Sequence, residues 1–393
     1  MNPAARVQAA IDLLDAVIAA ARGQGASADR IAADWFRARR FIGSKDRRAV
    51  RDLVWDAIRA CGDIPPTGRA ALLHLAETDP ALSLLFDGSK YGPAPIAAGE
   101  CAATGGIAPR WLADALGASG LAQAEQAALL SRAPLDIRAN RLRITRDALI
   151  AQLPVLAEPG PAPDALRLPA GTPVETWPAF ARGLFEVQDA GSQLACAALA
   201  AGRGETVVDL CAGGGGKTLA LAADMAGGGR LIACDIDRAR LSRLPERAVR
   251  AGANVEVRLL DGGREIDALR DLAGSVDAVL VDAPCSGTGT WRRNPEARWR
   301  LSATAIARYA ALQAHVLDLA TTLVRPGGRI TFITCSLLDA EGADQVDAFL
   351  AQRYDWHAAP IDLATGRVRG KGWRLDPHRD GTDGFFFANL VRS

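Results

Sequence analysis

Along the first 130 residues, apolar side chains recur at helical spacing. Ile11, Leu14, Val17 and Ile18 form one stripe, and Val50, Leu53, Val54 and Ile58 form a second; each predicts a helix with one buried face. Gly and Pro cluster at Pro65-Pro66, Gly88 to Pro95 and Gly105 to Pro109, so short helices with long connections are expected. From about 131 to 180 the pattern changes. Ile137, Leu142 and Ile144 suggest a strand, Arg146 to Leu153 a helix, and Pro/Gly-rich text follows from Pro154 to Pro178. After residue 181 strand-length apolar runs alternate with helical segments, the mark of repeated β-α units and a parallel sheet. Strands are predicted at Thr206–Asp209, Arg230–Cys234, Val255–Leu260, Ala278–Val281 and Arg329–Thr334, with Phe385–Leu390 closing the chain. The reading is a helical domain (1–130), a small linking α/β subdomain (131–180) and an α/β domain (181–393), without a solenoid repeat.

Ligands of parallel sheets bind beyond the carboxyl ends of the strands, and the chemically suggestive residues fall there: Asp209 to Lys217, Asp235, Asp261, Asp282 to Cys285, and Cys335. Composition narrows the picture. The 393 residues are 49% hydrophobic and 23% charged, the balance of a soluble globular protein. With 46 basic against 45 acidic residues the net charge is +1, so any nucleic-acid site must be a local patch. Seven cysteines without a C-x-x-C pair, and only four histidines, favour neither a disulfide framework nor a metal site and suit a reducing cytoplasm. Asp12 and Asp15 interrupt the first apolar stretch, arguing against a signal peptide, and no uncharged run reaches the roughly 18 residues of a membrane span.

The segment Asp209-Leu-Cys-Ala-Gly-Gly-Gly-Gly-Lys-Thr218 joins a strand to a helix. Its glycines, Gly213 to Gly216, allow a tight turn and close approach of backbone to a ligand. Cys211 stands where a phosphate-binding P-loop requires glycine. Asp235 can accept ribose hydroxyls and Asp261 an exocyclic amine, which together describe an adenosine pocket and leave a dinucleotide and S-adenosylmethionine both open; Asp237 reads as a helix cap. Two cysteines then adjoin the same crevice, in Asp282-Ala-Pro-Cys-Ser-Gly-Thr-Gly289 and in Thr334-Cys335-Ser336. A cysteine thiolate can attack an electron-poor carbon, and a neighbouring acid can bond a ring nitrogen that gains charge.

These motifs resemble the RsmB, Sun and Nop proteins, RNA cytosine-5 methyltransferases that use S-adenosylmethionine. The likeness covers Val187-Gln-Asp-Ala-Gly-Ser-Gln193, the glycine loop, Cys234-Asp-Ile-Asp237, both cysteine motifs, Arg292-Arg-Asn-Pro295, Pro326-Gly-Gly328 and Asp383-Gly-Phe-Phe-Phe-Ala388. Ala133 to Arg141 extends it into the linking region, and Asp46 to Val54 resembles the NusB-like RNA-binding domain of bacterial members. The resemblance implies a Rossmann-like domain with a mostly parallel seven-stranded sheet, behind an all-α NusB-like domain. It implies Cys335 as the nucleophile toward carbon 6 of cytosine, Cys285 as the residue of the release step, and Asp282 beside ring nitrogen 3. It further implies a cofactor site at Cys211, Ala212, Gly213, Gly214, Gly215, Gly216, Lys217, Asp235, Asp261 and Asp282. The partner implied is RNA, ribosomal RNA of the small subunit first and transfer RNA second, for a cytoplasmic monomer without a metal; a catalytically silent assembly factor is the competing class. One departure stands out: the family loop reads Cys-Ala-Ala-Pro-Gly-Gly-Lys, whereas Gly213 and Gly214 here replace Ala and Pro, which predicts a more flexible loop.

Only four of the 46 basic residues are lysines, and arginine suits phosphate contacts and base stacking. Three stretches concentrate it: Arg37 to Arg51, Arg132 to Arg146, and Trp291 to Arg300, where tryptophan and arginine interleave directly after the cysteine loop. The third is expected to hold RNA, and Lys217 to bond the cofactor or face solvent. His74, His315, His357 and His378 show no motif.

Overall fold

Asn2 starts the first helix, α1 (Pro3–Arg22), by accepting the Ala5 amide while Pro3 fixes the first φ. A computed structural model describes residues 1–393 and divides the chain into two units, residues 1–131 with 290–302 and residues 132–289 with 303–393. In the first unit α2 (Ala28–Ala38) is capped by Ser27, and α3 (Ser44–Ala60) and α4 (Gly68–Ala76) pack on α1. The predicted stripes meet there: Ile11, Leu14, Val17 and Ile18 from α1 face Val50, Val54 and Ile58 from α3 in one apolar core.

Residues 290–302, read from the sequence as part of the C-terminal domain and as an RNA grip, pack with the helical unit instead. Arg298 is fully buried, and its guanidinium donates to the carbonyls of Ile58 at 2.6 Å and Cys61 at 2.7 Å. Those are carbonyls that the end of α3 leaves without helical partners, so an arginine there caps the helix and meets its negative pole. The Trp299 ring enters the helical core and its indole N–H reaches Cys61 O at 3.1 Å. Glu296 accepts the Ala28 amide at the start of α2, 2.9 Å away, and Arg300 donates to the Gly25 and Ala26 carbonyls at 2.8 Å.

The second unit holds two sheets. In the linking region β1 (Leu135–Ala139), β2 (Glu158–Pro159) and β3 (Ala165–Leu168), joined by β4 (Phe185–Val187) from beyond its predicted end at residue 180, form an antiparallel sheet in the order β2-β3-β1-β4. Ile137 lies in β1, but Leu142 and Ile144 do not. The Asn140 carboxamide oxygen accepts the Leu142 amide, and its backbone carbonyl accepts those of Arg143 and Ile144, so the chain turns on Asn140. The predicted helix stops at Ile150 rather than Leu153.

The larger sheet comprises β5 (Thr206–Asp209), β6 (Arg230–Asp235), β7 (Glu256–Leu259), β8 (Val276–Asp282), β9 (Val324–Thr334), β10 (Trp356–Ala359), β11 (Arg367–Arg369), β12 (Gly372–Leu375) and β13 (Phe385–Arg392). Its order is β11-β12-β13-β9-β8-β5-β6-β7, with β10 also beside β13. The sheet thus has nine strands where the resemblance implied seven. β7, β6, β5, β8 and β9 are parallel, the Rossmann-like heart, and β13 runs antiparallel to β9. The extra strands follow from the length of β13: its outer edge pairs with β12 at Phe385 to Phe387 and with β10 at Asn389 to Arg392. Alternate residues of the central strands enter cores on opposite faces, Val208, Ile232, Val279 and Phe332 on one, Val207, Leu231, Leu280 and Ile333 on the other, as a sheet covered on both sides requires. No helix is long and apolar enough to cross a membrane.

Candidate active site

The chain runs outward from β5 through β6 to β7, then returns with β8 on the other side of β5. That reversal opens a crevice at the carboxyl ends of β5 and β8. A cavity of about 510 Å³ lies there, within the range that takes a small molecule. Leu210 and Cys211 after β5, Asp235 and Ile236 after β6, and Leu260 after β7 form one side. Asp282 to Cys285 and Cys335 form another, and Tyr309, Leu312 and Val316 of the helix Ala303–Leu323 face them.

The glycine loop contributes mainly backbone. Gly213 sits at φ +53°, a left-handed conformation that favours glycine, and its amide donates to Asp235 Oδ2 at 2.6 Å. The other Asp235 oxygen accepts the Asp237 amide at 2.7 Å, leaving lone pairs for ligand hydroxyls. Asp237 caps the next helical turn through the Ala239 and Arg240 amides, as its position suggested. Asp261 is exposed and outside the cavity wall, one residue beyond Leu260, whereas Glu265, not singled out by motif, lines the wall.

Lys217 does not face solvent. Its ammonium bonds Asp282 Oδ2 at 2.6 Å and lies 5.7 Å from the Phe385 ring centre. Burial opposes its charge, but Asp282, with Cys196 and Cys335 behind it, raises its pKa. Cys335 and Cys285 bring their sulfurs to 3.4 Å at the cavity wall. The Cys285 thiol is pushed well up by its bond to Cys335, by burial, and by the charge of Glu341. Cys211, the third cysteine of the wall, is also pushed well up, by burial and by Asp209 and Asp282, and is a poor nucleophile. The loops carrying Cys285 and Cys335 are joined by backbone: Gly289 donates to the Cys335 carbonyl at 2.9 Å and accepts the Gly384 amide at 2.8 Å. A Cβ on Gly289 would lie 2.1 Å from Gly384 O, so only glycine permits this contact. Glu341 and Gln313, buried beneath these loops, carry no motif spacing that marks them. No group of His, Cys, Asp and Glu is arranged to hold a metal ion.

Beneath the loop Asp209 is fully buried. Thr218 donates to one oxygen at 2.6 Å while the other has no partner, and burial pushes its pKa up to about 7 against the Thr218 bond. An acid raised on folding binds its proton more tightly in the native state, so stability falls as pH climbs from near 4 and levels above 7. Asp209→Asn removes that dependence. The variant is expected to gain on the parent by up to about 1.4 kcal/mol per pH unit between pH 5 and 7 and no further above it, as read from thermal unfolding across that range.

Residues 196–391 match the family model described as 16S rRNA methyltransferase RsmB/F. The chain belongs to the RsmB/F family. Ribosomal RNA small subunit methyltransferase B of Serratia proteamaculans is 37% identical over 290 residues, 72% of this chain and 66% of the relative. The protein of the same name from Salmonella typhi is 38% identical over 265 residues, 66% of this chain and 60% of the relative. The RsmB/F chain therefore spans 60 to 66% of the length of these relatives. Among solved structures, a methyltransferase homolog from Pyrococcus horikoshii superposes with a TM-score of 0.60 at 24% identity, over 72% of this chain and all of that one. NSun6 of the same organism, titled with the ligand SFG, gives a TM-score of 0.64 at 21% identity over 72% and 98%; both likenesses concern the fold.

The departure of this RsmB/F loop from the family sequence has a structural counterpart. A Cβ on Gly213 would stand 2.4 Å from the Arg240 guanidinium, which lines the cavity. The Gly214 carbonyl accepts from Arg247. Gly213 thus admits Arg240 against the loop, which is held by Asp235 and Arg247 rather than left loose.

Proposed function

We propose that this chain transfers a methyl group from S-adenosylmethionine to carbon 5 of a cytosine in RNA, 16S ribosomal RNA in particular. The observation that carries the reading is the pair of sulfurs in contact at the wall of an adenosine-sized cavity, beside the Lys217–Asp282 ion pair. When bound, S-adenosylmethionine would supply the methyl carbon, made electrophilic by its sulfonium, which would keep the electron pair of the broken carbon–sulfur bond and leave as a neutral thioether. Cys211 to Lys217, Asp235 and Asp282 would hold it, Asp235 toward the ribose hydroxyls, with Asp261 and the wall residue Glu265 as the acids near the base.

Cytosine carbon 5 is a weak nucleophile, and covalent addition corrects this. The Cys335 thiolate forms a bond from sulfur to carbon 6, and the electron pair of the 5,6 double bond shifts so that carbon 5 can bond the methyl group. Asp282 faces ring nitrogen 3, where charge gathers, and Lys217 offsets that charge. Release runs the other way: the carbon 5 proton passes to Cys285, the carbon–sulfur bond breaks, the double bond returns, and Cys335 leaves as thiolate.

The RNA is held, on this reading, by the first unit. A groove of about 590 Å³ is lined by Arg37, Arg40, Arg47, Arg48 and Arg51 around Phe36. Arg37 pairs with Asp34 and Arg51 with Asp29, whereas Arg40 and Arg48 are exposed and suited to phosphates. The paired substitution Arg40→Glu, Arg48→Glu is expected to lower RNA affinity at low salt and to flatten the slope of log affinity against log salt by about 2, with cofactor binding unchanged in a titration of the same protein. Seven unpaired cysteines fit a reducing compartment, and we place the enzyme in the cytoplasm as a monomer.

The deciding experiment incubates the protein with labelled S-adenosylmethionine and unmodified small-subunit ribosomal RNA, with transfer RNA in parallel, and identifies the labelled nucleoside. 5-Methylcytidine in ribosomal RNA supports the proposal; label in transfer RNA alone moves the substrate, and another labelled nucleoside overturns the chemistry.

A further inference from the structure

Beneath the two cysteines lies a charged side chain that the mechanism above does not use. Glu341, in the turn after β9, is completely buried and meets four donors. They are the Ser286 amide at 2.8 Å, the Ser286 hydroxyl, the Ser336 hydroxyl at 2.7 Å and the Gln313 carboxamide at 3.3 Å. Ser286 directly follows Cys285, and Ser336 directly follows Cys335. The two hydroxyls also touch at 3.2 Å, and Gln313 donates to the carbonyl of Pro284, the residue before Cys285, at 2.9 Å. One carboxylate therefore ties both cysteine loops and the helix Ala303–Leu323 together. A buried carboxylate costs stability that an apolar side chain of similar volume would not, so packing alone does not account for it.

We propose that Glu341 is a positioning residue for methyl transfer: it clamps the residues that follow the two cysteines, holds the sulfurs in contact, and stations a negative charge on the Cys285 side of the pair. The proposal rests on the reading of Cys335 and Cys285 given above and says why their roles differ.

Two sulfurs at 3.4 Å do not both ionise, because the second negative charge would face the first at contact distance. Which sulfur keeps the proton is decided by the charges around the pair. Asp282 and Lys217 come from the end of β8 and the helix Gly216–Asp224, Glu341 from the turn after β9, and Cys196 lies behind Lys217. Lys217 interacts with Cys335, whereas Glu341 acts on Cys285. The carboxylate favours a protonated Cys285, which leaves Cys335 as the sulfur for attack. Attack then changes the balance. Once the Cys335 sulfur is bonded to carbon 6 it is an uncharged thioether, the main hold on the Cys285 proton is gone, and Cys285 can lose that proton to solvent before taking the one from carbon 5. The order of the two steps is thus written in the placement of Glu341 and Lys217.

The test needs no RNA. In the full chain carrying Cys335→Ser, alkylation of Cys285 by iodoacetamide is followed against pH on the Cys285 peptide by mass spectrometry. Adding Glu341→Gln is expected to speed alkylation at pH 8 about tenfold, one unit in titration midpoint, and Glu341→Asp to stay near the parent. Equal rates in all three chains, with S-adenosylmethionine still bound, overturn the charge assignment. Should the Gln chain not fold, Ser286→Ala and Ser336→Ala, each removing one clamp bond and leaving the charge, supply the second arm. In these chains, with both cysteines present, diamide oxidises the two thiols to a disulfide, and each variant is expected to slow that closure about tenfold as the sulfurs drift apart. Unchanged closure in both overturns the clamp. Because neither arm reads methyl transfer, absence of 5-methylcytidine in every RNA pool would sink the functional proposal while these results still decide the role of Glu341.

Discussion

Cys335→Ala is expected to abolish methyl transfer while leaving S-adenosylmethionine bound with unchanged affinity. Cys335 stands at the cavity wall within reach of the Lys217 charge. Without a sulfur on carbon 6, carbon 5 keeps its aromatic character and the barrier rises by the whole benefit of covalent catalysis, about 10³-fold in rate or more. Single-turnover methylation measured beside a cofactor titration separates this from a folding defect. Turnover within a factor of about ten of the parent would remove Cys335 as the nucleophile.

Cys285→Ala produces the opposite symptom. The sulfur that contacts Cys335 at 3.4 Å is lost, yet the nucleophile, the Lys217–Asp282 pair and the cavity all remain. Addition and methyl transfer proceed, but the base for the carbon 5 proton is missing, so the carbon–sulfur bond has no way to break. The expected result is a protein–RNA band that survives a denaturing gel, with release slowed about 10²-fold or more. The band is expected to vanish when Cys335→Ala is added. A clean gel with normal turnover excludes Cys285 from release, and a band that persists in the double variant assigns the covalent bond to another residue.

Much of the catalytic unit was legible in the chain because its strands are buried on both faces and read as apolar runs. β5 coincides with its predicted limits, and β6, β7 and β13 differ by one or two residues at their ends. β9 starts five residues early, at Val324, because Pro326-Gly327-Gly328 is absorbed as an irregularity in its pairing with β8. β10 to β12 escaped notice, being three or four residues long and mixed in polarity. The site divides in the same manner. Cysteines and aspartates at strand ends announce themselves, since short segments carry them. Glu341 does not, because its partner Ser286 lies 55 residues away. Nor did Arg298, whose fully buried guanidinium binds a carbonyl 240 residues earlier; a tryptophan–arginine alternation looks alike whether it grips RNA or closes helix ends.

That last contact governs the order of synthesis. Ribosomes deliver α1 to α4 first, but Arg298 and Trp299, which close the end of α3 and complete the helical core, are separated from them by residues 132–289. At roughly 5–20 residues per second, that stretch takes about 10–30 s to emerge. Through that interval the nascent helical unit has the carbonyls at the end of α3 without their arginine and an opening where the indole belongs. It is therefore complete only once residues 290–302 have emerged, although it is the first part to be made, and a truncation after residue 131 would preserve that unfinished state permanently.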